Sequence, residues 1–390
     1  MIELQVGGQS YTTWTSVEVE RSLDTISGIF KFECVASESD TFPIPRGQSC
    51  TVVINGKTVI TGYVDKIEVN YSASEHKICI EGRDKTCDIV DSHIDEKLEF
   101  KAPITLEEVI KKTLDDIGAS DIEVKNTVDG LKPFQKEELV SGKIGEKAFE
   151  FMDKYAAKRQ VVLTTDGLGN VVIARASTEL TSIVLKNAID DPFNTIKEAT
   201  VTYDDSERFN SYVFVTQANH SAEPKMTDAP KKSTNRRYKY VDNDIRASRK
   251  FVAICEGNSK EKPIEDRAKW EANIRKAKSI KYSCTHVAHS PDSWDGEPYQ
   301  PNTLVTVTDD FADVNTELLI IKTIHRLSMS DGSTTEMELL TREAFLLLLE
   351  EKQEKSSKGK HKKKGADNTA FSKFDNSTSR YFEKYPTKGS

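Results

Sequence analysis

The segment CIEGRDKTCDIVDSHID gathers Arg83, Asp84, Lys85, Cys87, Asp88, Asp91, His93 and Asp95 between Cys79 and Asp95. Paired carboxylates beside bases and a thiol are the materials of acid/base catalysis or of a metal site. The spacing argues against both. Side chains alternate faces along a strand, so in a strand ending near Gly82 the neighbours Arg83 and Asp84 point opposite ways. Asp88, Asp91 and Asp95 also have no second acidic cluster at recognisable spacing to complete a site. The expected structure is a strand end passing into a short helical turn, with Asp84 or Thr86 as cap and Ile89 and Val90 packed inward.

A second cluster is Cys284-x-His286-x-x-His289. It offers three ligand types at one edge with no matching pair downstream, and zinc sites generally show two pairs. On the strand IKYSCTHVA, residues Tyr282, Cys284 and His286 share a face, which suits a packed sheet. GxSxG, HExxH, Walker and GxGxxG patterns are absent from the sequence. The acidic pairs Asp115/Asp116, Asp190/Asp191, Asp204/Asp205 and Asp309/Asp310 fall in turn or helix-end contexts, which Asp favours. No catalytic, cofactor-binding or metal-binding residues are therefore expected, and the chain reads as a non-enzyme.

The elements that carry these clusters divide a chain of 390 residues. That length fits two to four domains of roughly 100 to 200 residues. No apolar run approaches the roughly 20 residues of a membrane span, and MIELQVGGQS has no basic-then-apolar leader. A soluble protein made in a cytoplasm is expected, without stable membrane insertion. Its six cysteines are scattered without CxxC spacing and read as small buried hydrophobes kept reduced. Residues 351–390 hold eleven Lys/Arg against five Asp/Glu, so residues 1–350 carry −14 against −8 overall. A body that acidic is poorly suited to sequence-specific DNA binding.

The first ninety residues alternate apolar and polar with period two, and Asn55-Gly56 marks a two-residue hairpin. An antiparallel barrel or sandwich is expected over 1–95. From about Phe100 the period becomes helical. APITLEEVIKKTLDDIG has Thr105 and Glu108 in capping-box spacing and Gly118 as a stop. A second helix is expected over about Ile144 to Lys158, followed by a hairpin turned at Asp166 to Asn170. These make a small α/β module over 96–180. Strands resume at TIKEATVTYDD and FNSYVFVTQA and close the chain from IKYSCTHVA to TTEMELLT. A second barrel is expected over 181–350, split at about 217–297 by an arm and by a helix presenting Trp270, Ile274 and Ala277. A basic, disordered tail, 351–390, follows.

An internal repeat links the ends. PRGQSCTVVI resembles QPNTLVTVTD, and TGYVDKIEVNYSASEHKICIEGRD resembles ELLIIKTIHRLSMSDGSTTEMELLTRE, with Arg83-Asp84 opposite Arg342-Glu343. The fold class expected is α+β, mainly β, with two tube-like antiparallel barrels from a duplication. A trimer of such a chain would present six quasi-equivalent units.

YTTWTSVEVERSLDTISGIFKFE, GYVDKIEVNYSASEHKICIEGRDKTCDIVDS and PNTLVTVTDD…ELLIIKTIHRLSMSDGSTTEMELLTREAF together resemble the baseplate hub proteins of contractile phage tails, phage Mu type. The run GRDKT-x-D-[IL]-[IV]-D is the most specific piece, and the resemblance covers about residues 1–347. It implies a homotrimeric ring that adapts a hexameric tail tube to a trimeric central spike in the virion baseplate, assembled in the host cytoplasm. Partners implied are the tail tube protein, the spike protein, other baseplate proteins, and phage DNA passing without specific binding. Its structural signature maps onto Gly62, Gly82, Arg83, Asp84, Lys85, Thr86, Asp88, Arg342 and Glu343. Two other readings stay open: a cell-wall hydrolase, which would need a site in the module, and the spike-type hub of a contractile secretion system.

Overall fold

The computed structural model describes residues 1–35, 44–72, 76–136, 140–159, 161–216, 237–255, 268–269, 271–273, 275–276, 278–291 and 296–342. Residues 217–236 of the expected arm, the helix face of Trp270, Ile274 and Ala277, Glu343 and the basic tail lie outside these residues.

The chain is mainly β. Its first part runs β1 (Ile2–Val6), β2 (Gln9–Tyr11), β3 (Ser16–Ser22), β4 (Ile29–Val35), β5 (Ser49–Ile54), β6 (Lys57–Tyr71) and β7 (His76–Asp84). Asn55 and Gly56 both take positive φ, 52° and 75°, the mirror-image turn that matches strand twist and ties β5 to β6. Alternate residues of these strands enclose one core that includes Leu4, Val19, Phe32, Ile60, Val64 and Ile80, with Trp14 packed on Phe32 at 4.7 Å between ring centres.

The module contains α1 (Cys87–Asp91), α2 (Leu106–Asp116), β8 (Val124–Asn126), α3 (Ala148–Ala157), β9 (Val162–Thr165) and β10 (Val171–Ala174). At the start of α2, Thr105 Oγ1 accepts from Glu108 N at 3.2 Å and Glu108 Oε2 accepts from Thr105 N at 2.8 Å, a complete capping box. Gly118 follows at φ 74°, where a side chain would be strained. The second helix starts later than its periodicity suggests. Gly145 takes φ 76°, so the chain cannot be helical there, and Ile144 is left exposed. Ala148, Met152 and Tyr155 do face the module core.

The last part runs β11 (Leu180–Asn187), β12 (Ile196–Tyr203), β13 (Ser211–Thr216), β14 (Arg237–Val241), β15 (Lys250–Cys255), β16 (Ile280–His286), β17 (Thr303–Asp309), β18 (Val314–Ser328) and β19 (Gly332–Leu340). Strands β14, β13 and β15 form their own small sheet, and β12 and β16 pair directly across that insertion. Part of the expected arm is therefore ordered strand.

Two closed barrels do not appear in the hydrogen bonding. The described strands of both halves join into one open sheet in the order β12, β16, β19, β18, β3, β4, β7, β6, β5, β1, β2, with β17 on β18 and β11 on β17. The bridge between halves is the antiparallel pair β3 and β18, in which Val19 lies opposite His325. On either side of it the order repeats: β3, β4, β7, β6, β5, β1 answers β12, β16, β19, β18, β17, β11. The long strands β6 and β18 are 15 residues each, and both are bulged against their partners, at Asp65 and at Ile321. The repeats differ at their ends, since β1 meets β5 antiparallel whereas β11 meets β17 parallel.

Candidate functional site

The reactive-looking segment is a junction. Gly62 and Gly82 come first, because β6 and β7 cross so closely that nothing larger fits. A Cβ at Gly62 would lie 1.8 Å from the Arg83 carbonyl oxygen, and one at Gly82 would lie 2.2 Å from both Phe30 Cζ and the Tyr63 carbonyl oxygen. Beyond this crossing Asp84 is fully buried. Its Oδ1 accepts from the Thr86 backbone N–H at 3.0 Å, and its Oδ2 accepts from Thr165 Oγ1 at 3.1 Å. Thr86 Oγ1 lies 2.8 Å from both Asp84 Oδ1 and the Ile26 carbonyl, sharing one proton between them. Buried Arg21 donates to the Thr165 carbonyl at 3.1 Å. The Asp84 carboxylate thus fastens β7 to α1 and β9, and Arg21 ties β3 to β9 beside it.

Burial pushes the Asp84 carboxyl up, against the hydrogen bonds from Thr86 and Thr165 and the charge of Arg21. Burial likewise pulls Arg21 down, with Asp84 opposing. The neighbours point outward and pair. Arg83 Nε lies 2.6 Å from Asp65 Oδ2 and its Nη2 2.8 Å from Asp91 Oδ2, while Lys85 reaches Asp121 Oδ2 at 2.6 Å. Asp88 is held above the usual carboxylate range by burial. Thr86 occupies the N-cap of α1 but makes no side-chain cap there, since its hydroxyl is spent on Asp84 and Ile26. The buried part of this cluster, Asp84 with Thr86, Thr165 and Arg21, has the chemistry of a joint.

The ladder shifts the expected counterpart in the second half. Tyr63 pairs with Arg83 and its equivalent Leu319 pairs with Leu340, so Leu340 and Thr341 stand where Arg83 and Asp84 do. Arg342 corresponds to Lys85 instead, with its Nε buried and without a hydrogen-bond partner. The second hairpin is one residue longer than the first, since Lys66 pairs with Glu81 and its equivalent Lys322 with Glu338, which places Leu340 and not Arg342 opposite Arg83 in the repeat.

Cys284, His286 and His289 are all buried. Among the described residues no group of three or more His, Cys, Asp or Glu side chains gathers as a metal site. Burial pushes the Cys284 thiol up to about 12 and the His289 ring down to about 4. Sequence reasoning overlooked His325, which completes this apolar pocket. It lies 5.4 Å from His289 between ring centres and is pulled down to about 3 by burial and by His289. Its Nδ1 bonds Thr335 Oγ1 at 3.0 Å and its Nε2 bonds the Tyr299 carbonyl at 3.1 Å.

An organised polar surface lies on the face of the continuous sheet opposite its cores. Across β12, β16, β19, β18, β3, β4, β7 and β6 the alternation leaves Glu198, Lys281, Glu336, Glu338, Lys322, Arg326, Glu18, Glu20, Lys31, Glu33, Lys77, Glu81, Lys66 and Glu68 on that face. Each of these six basic residues is matched. Lys31 and Lys77 flank Glu33 at 3.1 and 2.9 Å, Lys66 meets Glu68 at 3.0 Å, and Lys281 meets Glu338 at 2.8 Å. Lys322 meets Glu20 at 2.7 Å, and Arg326 bridges Glu18 and Glu336 at 3.2 and 2.9 Å. The face is charged yet nearly neutral, with acids in slight excess. Each of these cations has a carboxylate partner.

Comparison with known proteins follows the same lines. Residues 1–84 match the family described as Mu phage baseplate assembly protein GpP-like, N-terminal, and residues 86–175 match baseplate hub protein gp44-like, second domain. Over 401 residues the chain is 28% identical to the baseplate hub protein gp44 of Escherichia phage Mu, covering 99% of this chain and 97% of that one. The 43 kDa tail protein of prophage MuSo2 from Shewanella oneidensis shares 27% identity and a TM-score of 0.68, over 88% of this chain and 98% of that one. A tail protein from Neisseria meningitidis MC58 shares the fold at 19% identity and a TM-score of 0.67, over 88% and 97%.

Proposed function

The chain carries the baseplate hub domains of the phage Mu type, and from that premise we infer that it builds a homotrimeric ring between a hexameric tail tube and a trimeric central spike. The observation that carries this reading is the repeated strand order on the two sides of β3 and β18. Two similar units per chain become six in a trimer, so one ring satisfies sixfold and threefold neighbours at once. The units are residues 1–95 and 181–350, tube-like barrels in the assembled particle, with the 96–180 module held between them by the Asp84 joint. The protein works without catalysis in the virion tail, touching tube, spike and other baseplate proteins.

The charge-paired face lines the conduit for the genome in this reading. Unpaired lysines there would hold phosphates, and paired ones leave DNA free to slide. Virions assembled with Glu18→Lys and Glu33→Lys together are expected to adsorb normally and release DNA at least tenfold more slowly at low salt, with recovery at high salt. Gln at the same positions controls for lost ion pairs. Unchanged release from the lysine variant contradicts the conduit role.

A further inference from the structure

The internal bridge supplies a template for the bridge between copies. In β18 the stretch Lys322 to Ser328 pairs with β19 on one side and with β3 on the other. Its equivalent in β6, counted from the shared bulge, begins at Lys66 and pairs with β7 alone among the described strands. The equivalent of β3 is β12, in which Val201 takes the place of Val19, and it pairs with β16 alone. Among the described strands there are thus two unmet halves of a contact that the chain makes once within itself. Unpaired edges of this length expose rows of backbone donors and acceptors, which soluble chains ordinarily cover.

We propose that β12 of one copy pairs antiparallel with the 66–71 stretch of β6 in the next, in the register of β3 on β18. That register sets Ile67 opposite Tyr203, Val69 opposite Val201 and Tyr71 opposite Ala199, all on the core side of the sheet. Lys66 falls opposite Asp204 on the polar side, an opposite-charge pair. Slipping by one residue would set apolar against polar throughout. In the single chain these side chains stand in solvent: Val69 is 53% exposed, Tyr71 79% and Tyr203 56%. Their counterparts at the internal bridge are better covered, since His325 is 1% exposed and Arg21 8%, and Leu327 is half-buried. A head-to-tail contact of this kind closes only as a ring or runs on as a fibre. The proposal rests on the ring reading and names the surface that closes it, and it extends the charge-paired face unbroken from copy to copy.

The test uses the full chain. Val69→Cys/Val201→Cys and Asn70→Cys/Thr200→Cys sample adjacent cross-strand pairs, one of which is of the close, non-hydrogen-bonded kind suited to a disulfide. Mild oxidation is expected to give covalent dimer and trimer with at least one double variant. Each single variant, and Val69→Cys/Ala199→Cys, two residues out of register, should remain uncross-linked. In addition, Val69→Lys alters a side chain exposed in the free chain, and it should abolish the trimer while leaving the melting of the monomer unchanged. A trimer that forms without cross-linking, or that survives Val69→Lys, overturns this edge while the ring stands. A wild-type chain that stays monomeric overturns both.

Discussion

The two halves share a ladder but finish it differently. Where β6 and β7 cross, the first half has Gly62 and Gly82, and the equivalent positions of the second half hold Leu318 and Leu339, both fully buried. In the first half the Phe30 ring and neighbouring backbone occupy the space a side chain would take. In the second, leucines fill the core themselves. The first half must also pass the chain into the module, and a tight crossing capped by buried Asp84 fixes that exit. The same strand order therefore tolerates different interiors, and what distinguishes the halves is what each must hold onto.

That contrast breaks first at the glycines. Gly62→Ala forces a methyl against the Arg83 carbonyl backbone, an overpacking expected to cost about 3 kcal/mol or more. Leu318→Ala should cost a comparable 2–5 kcal/mol, roughly, through a cavity instead. Denaturant unfolding should then show that enlarging one position and shrinking its equivalent do similar damage. Next comes the joint. Asp84→Ala strands Arg21, Thr86 and Thr165 in the interior and should lower stability by about 3 kcal/mol. Thr341→Ala at the equivalent place should cost less than about 1 kcal/mol.

Acid sharpens the comparison further, because the buried histidines His286, His289 and His325 belong to the second half. Unfolded imidazole takes up its proton near pH 6.5 (roughly), whereas His289 resists until about 4 and His325 until about 3. Their contribution is complete above the unfolded value and is lost as pH falls toward the folded ones. For His289 alone this amounts to about 2 kcal/mol at pH ~5. Asp84 runs the other way, since its raised folded value makes acid a relief. Hydrogen exchange at pH ~5 should therefore open β16 to β19 before β3 to β7, and His325→Gln should narrow the gap. Equal loss of protection in both halves would refute this ordering. The smallest effect is expected on the charged face, where Arg326→Gln should change stability by less than about 1 kcal/mol because the pair is half in solvent.

Much of this was written in local patterns. The capping box at Thr105 and Glu108, the Asn55-Gly56 turn and the period-two strands are signals within a few residues of one another. So is the alternation that separated Arg83 from Asp84. Strands β1 and β11 escaped notice because short apolar alternations such as IELQV and SIVLK carry no turn signature of their own, and only β5 and β17 make them strands. The displaced counterpart of Arg83 had a similar origin, since bulges and hairpin tips absorb residues that a linear alignment must place by guesswork. Least legible was the His325 pocket, assembled from residues on three strands and a loop, and the two unmet sheet edges, which exist only once the order of strands is known.

The central claim is that the chain closes a ring of three through these edges. Light scattering on the purified protein measures it most directly. The account predicts a mass of about 131 kDa, three times 43.8 kDa, for the wild-type chain and 43.8 kDa for Val69→Lys. A wild-type mass that stays at 43.8 kDa across the accessible concentration range would contradict it.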